Sequence, residues 1–471
     1  MSPESPESST STRSVPSPQD LVERGLAAST ADDAIVIVTV GSSANLRWAN
    51  NTLTTNGEMQ AVAVTAISFR GDRAASVGGS ASTVAEVERL VADADAASAD
   101  ADRSDDAAPL LGDQVDDHWN DPPERTSIGV YDAVAPALGE AFSRAEGSDR
   151  LHYGFVNHEV DTVYLGSTTG LRLRHVQPTG HYGFTGKTAD LSASAWVGGA
   201  TRDFADVDPL AVDDELVRRL GWSQRKVDLP AGRYDTVLPP TAVADLMIYT
   251  YWSMGAREAI DGQTAFGRPG GGTRLGQEVA RDGVRLWSDP TAVGLEASPF
   301  HVARTSGSST SVYDNGLPLG ATDWIRDGKL TSLLQSRRTA AMSEQPTTPP
   351  IDNLVLDVAG GAGSTDDLVR GIDRGVLVTC LWYIRMVDDQ RLLLTGLTRD
   401  GTYLVEDGEV VGMANNFRFN ESPLSLLKRF SHAGESVSAF SREWGDDYFS
   451  RTRMPALRIP DFAMSSVSQA L

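Results

Sequence analysis

The chain is 471 residues long, 40% of them apolar, with a formal net charge of −23. A length of this order suggests roughly two or three domains with sizeable cores, while so acidic a chain excludes nucleic acid as a partner, because phosphate binding needs a concentrated basic surface. A single cysteine, Cys380, excludes a disulfide framework and fits a reducing compartment.

Residues 1–18 are mostly Ser, Pro and Glu and are expected to form a disordered tail without a secretory signal. Residues 19–96 read as an amino-terminal α/β domain. Its strands are A-I-V-I-V-T-V from Ala34, then N-L-R-W-A-N, then Q-A-V-A-V-T-A-I-S-F, with turns expected at Gly41-Ser42-Ser43 and Asn56-Gly57. Thr83 and Glu86 form a capping box, and Val84, Val87, Val91 and Ala94 continue at helical spacing. An acidic, solvated linker is expected over 97–125. Residues 126–225 read as a middle α+β region: a helix near Tyr131 to Ala145, with Pro136 delaying its start or kinking it, an alternating, turn-rich sheet from Leu151 to Phe204, and a short helix from Asp213 to Gly221. Residues 226–471 read as a carboxy-terminal β-rich domain, with short helices near Thr365–Arg374 and Pro423–Phe430. Asp-Gly steps at Asp282, Asp327, Asp400 and Asp407 there suit the positive φ angles of tight hairpins. The fold class is therefore α+β, an amino-terminal α/β sandwich-like region followed by a large, mostly antiparallel β domain. No apolar stretch is long enough to cross a bilayer, so a cytoplasmic location without membrane contact is expected.

The chain is organised around Lys226 to Pro290. Lys226 to Leu238 reads as strand, turn, strand; Pro239 and Pro240 then open a helix near Thr241, since proline is at home in a first helical turn. Val243, Met247, Thr250 and Met254 form one row, Ala242, Leu246 and Tyr249 a second, and Ile248, Tyr251 and Trp252 fill the remaining sides. A helix apolar nearly all round is a buried helix.

The order of P-A-G-x-Y-D-x-V-L-P-P before this helix, S-D-P at Ser288 to Pro290, Y-D-N-G-L-P at Tyr313 to Pro318, W-I-R-D-G-K-L, G-V-L-V-T at Gly375 to Thr379 and G-T-Y-L-V-E-D-G-E-V at Gly401 to Val410 resembles the carboxy-terminal half of the TldD/PmbA family. The resemblance implies a metallopeptidase complex acting in proteolysis or peptide maturation. TldD-type members carry zinc on H-E-x-x-x-H in this helix, with a cysteine near the chain end. The equivalent window here is Ile248-Tyr249-Thr250-Tyr251-Trp252-Ser253, and Ser441 to Leu471 has no cysteine. Zinc sites want imidazole, thiolate or carboxylate ligands, and Ile248, Tyr249 and Ser253 are poor substitutes. The resemblance is therefore to the PmbA (TldE) type: no metal or cofactor expected in this chain, zinc expected in a TldD-type paralogue paired with it as a heterodimer, and a peptide as substrate. Self-association into a metal-free, peptide-binding homodimer that uses sheet edges is the alternative.

Other constellations read more plainly. P-T-G-H-Y-G-F-T-G-K-T has one residue too many for a phosphate loop and precedes a strand pattern, so a turn is expected. Gly270 to Gly272 and Ser306 to Ser311 read as loops. His158 and Glu159 would point to opposite faces of a strand, although a metal site built from His158, His175 and His181 is a third reading. Cys380 reads as a core residue. Asp314, Asn315 and Gly316 read as a turn that could also contact peptide backbone.

Overall fold

The computed structural model describes residues 16–445 and 449–468. The expected tail lies outside the described residues up to 15, but Pro18 already begins a helix. Ser17 accepts a hydrogen bond from the Asp20 amide while Asp20 reaches back to the Ser17 amide, a capping box that opens α1 (Pro18–Ala28). Then come β1 (Asp33–Ala49), β2 (Thr52–Arg70), β3 (Arg73–Ser80), α2 (Val84–Asp100), α3 (Val134–Glu146), β4 (Arg150–Ser167), β5 (Arg172–Thr188), β6 (Ser194–Thr201) and α4 (Pro209–Trp222). Pro136 sits in the first turn of α3, so the helix starts late rather than kinking.

These strands make one antiparallel sheet in the order β3-β2-β1-β4-β5-β6. The boundary expected between 19–96 and 126–225 is crossed by the β1–β4 ladder, which runs from Ile35↔Ser167 to Trp48↔Gly154. Both stretches supply a single domain. The connecting segment 97–125 begins as the last turn of α2 and then lies along the domain with most of its residues exposed, as expected of a linker. It is nonetheless anchored: Trp119 is buried against Tyr164, and Leu110 and Leu111 pack on the sheet. No turn forms at Gly41-Ser42-Ser43 or Asn56-Gly57. The chain reverses at Asn50 and Asn51 instead, with φ of 50° and 59°, the pair of left-handed residues that a two-residue hairpin requires. Likewise the expected turn at Pro178 to Thr188 is the second half of β5, paired with β4 throughout and with β6 from Gly180 to Lys187.

The even-numbered side chains of β1 face the helices. Val36, Val38 and Val40 lie under α1 and α2, and Ala44 and Leu46 lie against Leu138, Phe142, Leu216 and Leu220 of α3 and α4. The odd-numbered face is divided. At one end Ile35, Ile37, Ile67 and Phe69 meet Phe300, Val312 and Tyr313 of the carboxy-terminal domain; at the other, from Ser43 onward, it turns polar.

The carboxy-terminal domain runs through β7 (Lys226–Val227), β8 (Gly232–Leu238), α5 (Pro240–Trp252), α6 (Ala256–Ile260), β9 (Val284–Ser288), β10 (Thr322–Arg326), β11 (Lys329–Leu330), α7 (Arg337–Ser343), β12 (Leu354–Val358) and α8 (Thr365–Arg370). It continues with β13 (Arg374–Val378), β14 (Leu381–Asp388), β15 (Leu393–Thr398), β16 (Thr402–Glu406), β17 (Glu409–Ala414), β18 (Phe417–Glu421), α9 (Pro423–Arg429), β19 (His432–Ala433), β20 (Val437–Ala439), β21 (Thr452–Met454) and β22 (Leu457–Val467). One sheet has the order β11-β10-β9-β12-β21-β20. The larger runs β14-β15-β18-β22-β8-β13-β16-β17-β7, with β19 beside β22. Pairing is mostly antiparallel; β12/β21, β13/β8 and β17/β7 are parallel.

Two of the four Asp-Gly steps make hairpins, Asp327-Gly328 between β10 and β11 and Asp407-Gly408 between β16 and β17. Asp400-Gly401 has the positive φ angles without a hairpin, because β15 and β16 belong to different ladders. Helix α5 is buried on almost every side: Val243, Leu246, Met247, Ile248 and Tyr251 all lie in the main core.

Candidate functional site

Helix α5 places the window Ile248 to Ser253 in the protein interior. Ile248 is fully buried among apolar side chains. Tyr249 packs its ring against Trp252 and Trp444. The Thr250 and Ser253 hydroxyls donate to the carbonyls four residues back, Leu246 O at 2.8 Å and Tyr249 O at 2.7 Å. Tyr251 donates through its hydroxyl to Ile351 O at 3.0 Å and accepts from Ile351 N at 2.8 Å. A zinc ion does not fit this donor set: it offers phenol, indole and hydroxyl groups, the Thr250, Tyr251 and Ser253 hydroxyls already bonded to backbone carbonyls, with neither imidazole nor thiolate. Among the described residues no group of three or more His, Cys, Asp or Glu side chains is arranged to hold a metal ion. Tyr251→Phe should cost about 1–3 kcal/mol by stranding both backbone groups of Ile351, read as a lowered denaturation midpoint with the fold retained by circular dichroism.

One turn before the window lies a carboxylate that sequence reading passed over. Asp245 is buried, accepts from Ser441 Oγ at 2.7 Å and from the Glu443 amide at 3.1 Å, and leaves Oδ2 without a partner. Burial pushes its pKa up to about 7, against the opposing effect of those two hydrogen bonds. Trp444 Nε1 donates to the Asp245 carbonyl at 3.0 Å. This helix thus anchors the segment 441–445. Its signal in the sequence was a lone acidic residue in an otherwise apolar helix, which nothing but a buried partner explains. Cys380 lies in the same interior, and burial pushes its thiol up to about 12, leaving no thiolate for chemistry.

The end of segment 441–445 also walls a cavity. About 930 Å³ in volume, it opens between the polar half of the amino-terminal sheet and Gly445, Phe449, Ser450 and Arg451. Its floor follows from strand alternation and register. Ser43 of β1 pairs with Glu159 of β4, which pairs with Thr179 of β5; Asn45, Asn157 and His181 form the next row. Glu159, Asp161, Gln177 and Arg47 complete the polar lining. Burial raises the Asp161 pKa, and the neighbouring Glu159 raises it further. Arg451 donates to Thr179 Oγ1 and to Asp352 O, both at 3.0 Å, and Phe440 stacks on His181 at 5.4 Å.

The same alternation overturns a metal site of His158, His175 and His181. His158 points to the helical face, where its ring nitrogens meet Thr126 Oγ1 at 2.6 Å and Arg202 O at 2.7 Å, while Glu159 lines the cavity opposite. His175 and His181 share the other face but stand six residues apart on one strand, roughly 20 Å. The three cannot converge. Burial lowers the pKa of both His158 and His175.

The loop Asp314, Asn315, Gly316 lies at the domain junction and does not line the cavity. Asp314 is buried and accepts from Arg337 Nε at 2.7 Å and from the Arg337 amide at 2.9 Å. Asn315 accepts from Ala303 N and donates to Ala303 O and Val312 O. Gly316 has φ 85°, and a Cβ there would lie 2.7 Å from Leu171 Cδ1. These contacts seat the loop against the amino-terminal sheet.

Residues 231–466 match a family profile described as the PmbA/TldA metallopeptidase C-terminal domain. No relative emerges among curated proteins. Among solved structures, TldE from Thermococcus kodakarensis superposes with a TM-score of 0.75 at 15% identity, covering 94% of this chain and 99% of that one. A proposed modulator of DNA gyrase from Thermotoga maritima gives the same TM-score and coverage at 16% identity. One from Bacteroides thetaiotaomicron gives 0.73 at 13%, covering 96% and 98%. At these identities the likeness is one of fold.

Proposed function

Because the chain belongs to the PmbA/TldD family, we propose that it is the non-zinc member of a peptide-cleaving pair, contributing scaffold and cavity wall while a TldD-type paralogue supplies the metal. One observation carries this reading: the buried to half-buried window Ile248 to Ser253 offers no imidazole or thiolate, and its Thr250, Tyr251 and Ser253 hydroxyls bond to backbone carbonyls instead. Hydrolysis by a metal-bound water needs an open coordination position held by such ligands and a base near it, and rebuilding one here would mean replacing core side chains. What this chain contributes is position. Helix α5 holds segment 441–445, whose Gly445 with Phe449, Ser450 and Arg451 closes one side of a polar cavity of peptide-accommodating size.

The test is expression of the chain alone and together with a zinc-bearing paralogue, with bound metal and cleavage of an unfolded peptide measured in each preparation. The isolated chain should hold zinc far below one equivalent and leave the peptide intact, while the co-purified pair should carry zinc and cleave it. Stoichiometric zinc with cleavage by the isolated chain would overturn the reading.

A further inference from the structure

Buried N–H groups almost always find an acceptor. Trp382 Nε1, Arg399 Nε and Arg442 Nε have none among the described residues, and they belong to neighbouring side chains. The guanidinium carbon of Arg442 lies over the Trp382 ring at 3.7 Å from its centroid, and that of Arg399 at 5.6 Å. Arg442 also lies over the ring of Trp196 on β6, at 4.8 Å. A guanidinium set against indole faces keeps its in-plane N–H groups for another partner. The Tyr403 hydroxyl, buried without a partner, is a further donor within the electrostatic reach of Asp400. The charges do not balance either. Asp400 is the one carboxylate within 4 Å of Arg399 or Arg442 among the described residues, at 3.8 Å and 3.9 Å, both beyond hydrogen-bonding distance. Its Oδ1 accepts from Ser194 Oγ at 2.5 Å. Arg219, the next cation, is matched by Glu215 at 2.6 Å. Two guanidiniums sharing one carboxylate leave a local excess of one positive charge, on side chains of which Arg442 is only 14% exposed.

We propose that the cluster of Trp382, Arg399 and Arg442 binds one small monovalent anion of halide size, fastening β6 of the amino-terminal sheet to β14, to the loop after β15 and to segment 441–445. A water could accept two of these N–H groups but would leave the charge unmet, and a buried charge without a counter-charge is costly. A monovalent anion accepts the hydrogen bonds and cancels the excess. The second charge of sulfate or phosphate would exceed what the cluster neutralises. The chain as a whole, at −23, repels anions, so saturable uptake reports a built site rather than accumulation at the surface. The ion would tie down Arg442, the neighbour of the residues that Asp245 holds, and with it one wall of the cavity. Neither zinc, peptide nor the paralogue enters this assignment, so it and the reading above can fail separately.

The isolated full-length protein is melted in sodium chloride, sodium bromide or sodium gluconate at equal ionic strength, gluconate being too large to enter. The melting temperature should rise saturably with chloride and with bromide, by several degrees over gluconate, as it does for any ligand that binds only the folded state. The half-saturating halide concentration should increase at least ten-fold in Trp382→Phe, which keeps an aromatic ring and loses the N–H. Arg399→Gln, at a side chain that is 34% exposed, should do the same. A crystal soaked in bromide should give an anomalous peak beside Trp382 Nε1. Identical melting curves in halide and gluconate, half-saturation unchanged in both variants, or the absence of a bromide peak at this cluster would overturn the proposal and leave water as the acceptor.

Discussion

As pH rises from 5 to 8, the largely buried, neutral His158, His175 and His301 should add stability to parent and variant alike. Against that background Asp245→Asn should become more stable than the parent, because Asp245 loses its own stabilisation over the same range. Its folded-state pKa is raised to about 7 from an ordinary 3.8, so the folded protein holds this proton more tightly than the unfolded chain does. The associated stabilisation is complete below the unfolded value and is lost as pH passes through the folded one. Over pH 5 to 8 the loss amounts to about 2–3 kcal/mol. Glu443, whose pKa burial also raises, acts in the same direction. Asp245→Asn keeps an acceptor for Ser441 Oγ and the Glu443 amide without the charge. Its melting temperature should match the parent near pH 5 and exceed it by several degrees at pH 8. A variant that follows the parent throughout would refute the assignment.

Asp314→Ala should be nearly as damaging at neutral pH, at about 3 kcal/mol. Removing one member of a buried ion pair leaves the other's desolvation uncompensated, and here the Arg337 amide loses its acceptor as well. Arg337 also donates to Tyr313 O and Pro109 O. Its displacement should loosen the contact of Val312 and Tyr313 with Ile35, Ile37 and Phe69. Urea titration gives the stability change, and limited proteolysis should show new cleavage between 300 and 316. Asp314→Asn should recover part of the loss; an unchanged midpoint in the alanine variant would exclude the clamp.

Local rules were read correctly wherever neighbouring residues decide the outcome. Thr83 and Glu86 cap α2, Pro239 and Pro240 open α5, and the face of Val134, Leu138, Ala141 and Phe142 is the buried face of α3. Glycine was read too literally. Gly41 and Gly57 lie inside long strands, while the reversal falls on Asn50-Asn51, where two asparagines adopt the left-handed conformation that was expected of glycine. The α1 capping box is also local, but it follows a stretch whose composition reads as disordered.

The cavity was illegible for a different reason. Its floor is the odd-numbered face of β1, β4 and β5, strands that begin at residues 33, 150 and 172, and its wall comes from residues beyond 444. Polar residues on a strand announce a wet face but not whether that face meets bulk water or a second domain. Asp245 was hidden likewise, since its partners Ser441 and Glu443 lie nearly 200 positions away.

The last strand, β22, sits in the middle of the larger sheet, between β18 and β8. Until β22 pairs, β8 and β18 each keep one bare edge and the sheet is split into two halves. Deleting this strand alone would leave a chain that cannot close its core, where loss of a peripheral strand such as β11 would merely trim a margin.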